Sequence, residues 1–79
     1  MKATVWIVDD EMLIGLHLTK VFEENEYQAR AIKSGEACIE RIESGEVPDL
    51  ILMDINLGAG RLDGPETTRR INEIQDVPV

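Results

Sequence analysis

Seventy-nine residues provide for one small domain, and a chain of that size buries only about 60% of the surface its unfolded form exposes. Sixteen acidic residues against eight basic give a formal charge of −8, which argues against nucleic acid or an anionic membrane as partner, because both are recognised through clustered Lys and Arg. No run approaches the ~18 apolar residues that span a bilayer. The single Cys38 excludes an internal disulfide framework and a cysteine-based metal knuckle, and suits a reducing cytoplasm.

Met1-Lys2 leads directly into "ATVWIV", residues 3–8, a short β-forming apolar run expected to be a strand buried on both faces. From about Glu11 to Glu24, Ile14, Leu18, Val21 and Phe22 recur at helical spacing, which predicts an amphipathic helix ended near Asn25. Residues 27–32 alternate and read as a second strand. A second helix is expected over 34–44, with Ser34 as N-cap, Ala37, Cys38 and Ile42 facing inward, and Gly45 beyond its end. Pro48-Asp49 introduces a third strand, residues 50–53. After a glycine-containing loop, Gly64-Pro65 opens a third helix with Pro65 at the first helical position and Ile71 and Ile74 as core residues. The closing "DVPV" looks like the opening of a fourth strand. Strands and helices alternate with short connections, so the expected architecture is a doubly wound parallel α/β sheet. Residues 1–79 then make one incomplete unit of a larger fold.

Two of these strands end in acid: Asp9-Asp10-Glu11 follows the first and Asp54 the third. Ligands of open parallel sheets bind beyond the carboxyl ends of the strands, where the strand order reverses. In an order beginning 2-1-3, Asp9, Asp10 and Asp54 converge. Three such carboxylates repel one another, and a hard divalent cation such as Mg²⁺ offsets the charge with oxygen ligands. The plainer alternative is that Asp9 and Asp10 cap the first helix.

"WIVDDE", "PDLILMDINLG", "LDGPETTRRI" and "DVPV", in this order and spacing, resemble the receiver domain of bacterial two-component response regulators. The resemblance covers the whole chain and about the first two-thirds of a receiver. It implies a flavodoxin-like sheet of order 2-1-3-4-5, cut at the start of the fourth strand. It further implies that Asp54 accepts a phosphoryl group from a sensor histidine kinase or phosphotransfer protein. Asp10 would ligate Mg²⁺ directly, Asp9 directly or through water, Asp54 as a further carboxylate ligand, and Asn56 through its backbone carbonyl. The Asn56 side chain would tune hydrolysis of the phosphoryl group, its plainer role being an Asx-turn. Glu11 would cap the helix.

Receivers also use a Ser/Thr at the end of strand four and a Lys at the end of strand five. Neither position lies in this sequence, whose lysines (Lys2, Lys20, Lys33) all precede Asp54. The resemblance therefore implies a chain that binds Mg²⁺ but phosphorylates poorly, and that is no enzyme beyond self-phosphorylation and autodephosphorylation. A rival reading is a pseudo-receiver that docks partners without phosphotransfer. A third, an acylphosphate-forming Mg²⁺ hydrolase, is weakened by Asn56 standing where such enzymes place a second Asp. Gly58 replaces a proline common in receivers, and "GAGRLDG" lengthens the loop, a feature of either turn geometry or a phosphate cradle. His17 reads as a helix-flank residue, Cys38 and Trp6 as core, and Arg61, Arg69 and Arg70 as either an exposed helix face or a basic patch. Half a sheet leaves an open edge, from which pairing with a second copy through the third or fourth strand is expected unless the chain is part of a longer molecule.

Overall fold

The computed structural model describes residues 2–55, 57 and 62–79. Strands β1 (Thr4–Val8), β2 (Gln28–Ile32) and β3 (Leu50–Met53) alternate with helices α1 (Met12–Glu24), α2 (Gly35–Glu43) and α3 (Gly64–Ile74). The strands form one parallel sheet of order β2-β1-β3, so the first strand is central, as the 2-1-3 expectation requires. Val8 stands level with Ile32 on one side and Met53 on the other, which brings all three strands to an end along one line.

β1 is buried on both faces, which is why its sequence is an unbroken apolar run. Trp6 and Val8 point to the face covered by α2 and α3. They meet Ile32, Cys38, Ile42, Ile51, Leu57, Ile71 and Val77 in the main core. Val5 and Ile7 are equally buried on the opposite face, under α1. The α2 helix starts as expected, Ser34 Oγ accepting from Ala37 N–H at 3.1 Å.

Several details differ from the sequence reading. In α1 the one buried residue is Gly15, whereas Ile14 and Val21 are 43% and 38% exposed. The helix rests on the sheet through its glycine, where an added Cβ would lie 3.3 Å from the Ala31 side chain, and of the expected apolar stripe Leu18 and Phe22 stay half-buried. Phe22 packs edge-on against Tyr27 with ring centroids 5.5 Å apart, and Tyr27 sits in the turn before β2, outside the strand. Glu11 occupies the N-cap position of α1 without a side-chain cap bond. At α3 the cap is Asp63, whose carboxylate accepts from Glu66 N–H at 2.8 Å. Gly64 therefore takes the first helical position and Pro65 the second. Ile71 is fully buried, but Ile74 is 43% exposed, and the second inward residue of that helix is Thr67. No strand forms at the end of the chain, yet Ile51 N–H donates to Pro78 C=O at 2.9 Å, so this segment runs along the outer side of β3. Arg69 pairs with Glu66 and Glu73, and Arg70 with Glu66, which accounts for these arginines as an exposed, internally paired helix face.

Candidate functional site

The end of the sheet is where backbone hydrogen bonding fixes the acidic residues. Asp9 N–H donates to Ile32 C=O at 3.0 Å, and Asp54 N–H donates to Val8 C=O at 2.9 Å. Each residue is thus the first beyond its strand, tied by its own amide to the neighbouring strand. Parallel pairing of Val8 with Met53 then places Asp54 beside Asp9-Asp10, although more than forty positions separate them in the chain.

Asp9, Asp10 and Asp54 each present a carboxylate oxygen, and the three oxygens lie within 4.8 Å of one another. Asp9 and Asp54 are half-buried and Asp10 is exposed. Oxygens bound to one Mg²⁺ at 2.0–2.1 Å in an octahedron stand about 2.9 Å apart when adjacent and about 4.2 Å apart when opposite. Three oxygens within 4.8 Å of one another are on the scale of such a shell. The donor set is all oxygen, which suits Mg²⁺ and not a softer metal. The residues present therefore fit a hard divalent cation.

Asp9 also has a second task. One of its oxygens accepts from Glu11 N–H at 2.8 Å, which orients the carboxylate and satisfies a donor just ahead of α1. The capping and ligand roles are compatible, because a carboxylate has two oxygens. The positive end of the α1 dipole, one residue further on, favours negative charge here. A shallow hollow of about 260 Å³ opens beside the carboxylates, lined by Ile7, Val8, Asp9, Leu18, Leu52, Met53 and Asp54.

Asn56, the expected carbonyl ligand and tuning residue, lies outside the described residues, as do Gly58, Gly60 and Arg61. His17 is exposed and stands in none of the acidic clusters among the described residues. Cys38 is fully buried, and burial pushes its thiol up to about 11. Two features were not legible in advance. Met12, Leu13 and Leu16 on α1, and Ile55 directly after Asp54, are apolar and 55–84% exposed. Gly64 packs against the Asp54–Ile55 peptide. The only sequence signals for these were excess apolar residues in α1 and one glycine among several.

Residues 5–79 match the family model described as response regulator receiver domain. Among solved structures, the chain is similar to the N-terminal domain of a response regulator/sensory box/GGDEF three-domain protein from Carboxydothermus hydrogenoformans. That similarity runs at 36% identity and a TM-score of 0.92, covering 96% of this chain and 60% of that one. It is also similar to the N-terminal domain of a response regulator receiver protein from Methanoculleus marisnigri JR1, at 34% identity and TM-score 0.75, covering 86% and 53%. A CheY-like receiver from Methanospirillum hungatei JF-1, at 23% identity and TM-score 0.85, shares the fold. The chain thus spans between half and two-thirds of the length of these structures. Comparison with curated protein sequences gave no match. Among the described residues, no helix is long and apolar enough to cross a membrane.

Proposed function

Since the chain belongs to the response regulator receiver domain family, we propose that residues 1–79 act as one unit of a two-component phosphorelay, with Asp54 as the phosphoryl acceptor. The donor is a phosphohistidine on a sensor kinase or phosphotransfer protein, the partner class that family membership implies. The observation that carries this reading is the convergence of Asp9, Asp10 and Asp54 within 4.8 Å at the end of the sheet.

Asp54 supplies the nucleophilic oxygen. As its O–P bond forms, the N–P bond of the phosphohistidine breaks in line, and the imidazole nitrogen leaves with the electron pair and takes up a proton. Phosphoryl transfer of this kind relies on positioning and charge neutralisation more than on an acid or base. Positioning is what the fold provides here, since the Asp54 amide is tied to β1 and its carboxylate faces the Asp9-Asp10 pair. Asp9, Asp10, Asp54 and the Asn56 carbonyl would hold Mg²⁺, which when bound would neutralise charge on the oxygens of the phosphoryl group. The Asn56 side chain, two residues after the acceptor, would set how readily water reaches the aspartyl phosphate.

All three lysines of the sequence precede Asp54, so by family correspondence none acts as the phosphate-facing lysine. With Mg²⁺ and acetyl phosphate, mass spectrometry should find a phosphoryl adduct on Asp54. It should be labile to hydroxylamine and absent without Mg²⁺ or in Asp54→Asn. An adduct on another residue, or none after prolonged incubation, refutes the acceptor assignment.

A further inference from the structure

We propose that Gly64 is a positioning residue for the Asp54 carboxylate, acting through direct backbone contact with the Asp54–Ile55 peptide. The inference rests on the metal and acceptor reading of Asp9, Asp10 and Asp54, and assigns a role to a residue outside that cluster.

Gly64 N–H donates to Ile55 C=O at 3.0 Å. A Cβ at position 64 would lie 2.9 Å from both Asp54 C and Ile55 Cα, and closer still to Asp54 O. The neighbours are main chain, which cannot swing aside as the tip of a long side chain can. Any side chain at 64 must therefore push the first turn of α3 away from the end of β3. The opposite side of that turn is equally constrained. Gly35, at the start of α2, admits the Thr67 side chain at a distance that no Cβ would permit. Thr67 is fully buried and its hydroxyl donates to Asp63 C=O at 2.7 Å. Across the same junction, Leu62 N–H donates to a Glu36 carboxylate oxygen at 3.2 Å. The start of α3 is thus held between α2 and the peptide that follows the acceptor, and it has no slack with which to absorb a methyl group at 64.

On the β1 side, Asp54 is tied by the hydrogen bond its N–H donates to Val8 C=O. Gly64 holds its carbonyl side. Together the two contacts set the angle at which the carboxylate leaves the backbone toward Asp9 and Asp10. Sites of this kind need their geometry held to about 0.5 Å. Displacing the Asp54 peptide should therefore weaken cation binding out of proportion to any loss of stability.

The test compares wild type, Gly64→Ala, and a chain made by total synthesis in which an ester replaces the Asp63–Gly64 amide. The ester deletes the donor to Ile55 without adding an atom, so it keeps the proposal testable if Gly64→Ala fails to fold. Ile71→Val, a buried change on the same helix remote from Asp54, controls for plain destabilisation. Mg²⁺ affinity is read by NMR titration of the Asp54 amide, and thermal stability by circular dichroism. The expected result is an affinity loss of about tenfold in Gly64→Ala, the scale seen when supports of metal ligands are removed. A smaller loss in the same direction is expected for the ester, and wild-type affinity for Ile71→Val. Wild-type affinity in a folded Gly64→Ala or ester chain overturns the proposal, as does an equal loss in Ile71→Val. Absence of Mg²⁺ binding by wild type would instead remove the acidic-site reading itself.

Discussion

Asp10→Asn removes one of three neighbouring negative charges, and the geometry gives the size of the effect. At the outer separation of 4.8 Å, each pair of carboxylates repels by about 0.9 kcal/mol in bulk water. Screening over a Debye length of ~8 Å at 0.15 M salt reduces this to about 0.5 kcal/mol per pair. Asp10 takes part in two pairs, so neutralising it relieves about 1 kcal/mol in the metal-free protein. For a domain of this size that raises the melting temperature by roughly 4–8 °C. Differential scanning calorimetry in EDTA should show this gain, growing to about 1.5 kcal/mol at 0.01 M salt and falling to about 0.3 kcal/mol at 1 M. Saturating Mg²⁺ should reverse the order. A ligand at 100 times its Kd stabilises the wild type by about 2.7 kcal/mol, and the variant has lost one ligand. If Asp10→Asn melts below wild type in EDTA, the carboxylates are not in net repulsion and the cation-dependent reading of the cluster fails.

Three further outcomes follow from the same structure. Ile51→Ala empties a fully buried position at the centre of the core and should cost about 2–5 kcal/mol. Total stability for this chain length is of the order of 4–12 kcal/mol, so chemical denaturation should show the variant near the edge of folding. Cys38, buried and with its thiol raised to about 11 by that burial, should react with Ellman's reagent at pH 8 only after denaturant is added. Rapid native-state labelling would contradict its burial. Glu66 is held down to about 2 by its hydrogen bonds to Arg69 and Arg70. Its folded pKa lies below the unfolded value, so its contribution is present above the ordinary carboxylate range and is lost as pH falls from about 4.3 toward 2. Glu66→Gln should therefore flatten the acid limb of the stability curve, and an unchanged limb would show that these exposed ion pairs contribute nothing measurable.

The site was more legible in the sequence than the packing around it. Apolar runs ending in Asp9-Asp10 and Asp54 announce both the parallel strands and the acidic cluster at their ends, because the two-sided burial of a central strand leaves no packing reason for a terminal charge. Ser34 was readable as a cap for a similarly local reason: its hydroxyl satisfies an amide three residues on. The α1 stripe is legible only in part, Leu18 and Phe22 being half-buried and Ile14 and Val21 exposed, because periodicity shows that a helix has an apolar face but not how closely that face approaches the sheet. That distance was set by Gly15 against Ala31. Pro65 reads from the sequence as the first helical residue, but Asp63 caps the helix and makes Gly64 the first and Pro65 the second. The role of Gly64 was invisible for the same reason: a close approach between backbones remote in sequence leaves no pattern, only a glycine. Asn56 remains an assignment by family correspondence.

The most direct test of the acidic site uses Mn²⁺ as a paramagnetic stand-in for Mg²⁺. In an amide NMR titration of the isotopically labelled chain, substoichiometric Mn²⁺ should first broaden the signals of Asp9, Asp10 and Asp54. Added Mg²⁺ should restore them, and Asp10→Asn should shift the effect to much higher Mn²⁺. Broadening centred instead on the exposed glutamates of α1, Glu23 and Glu24, or spread evenly over the sixteen acidic residues, would contradict the account.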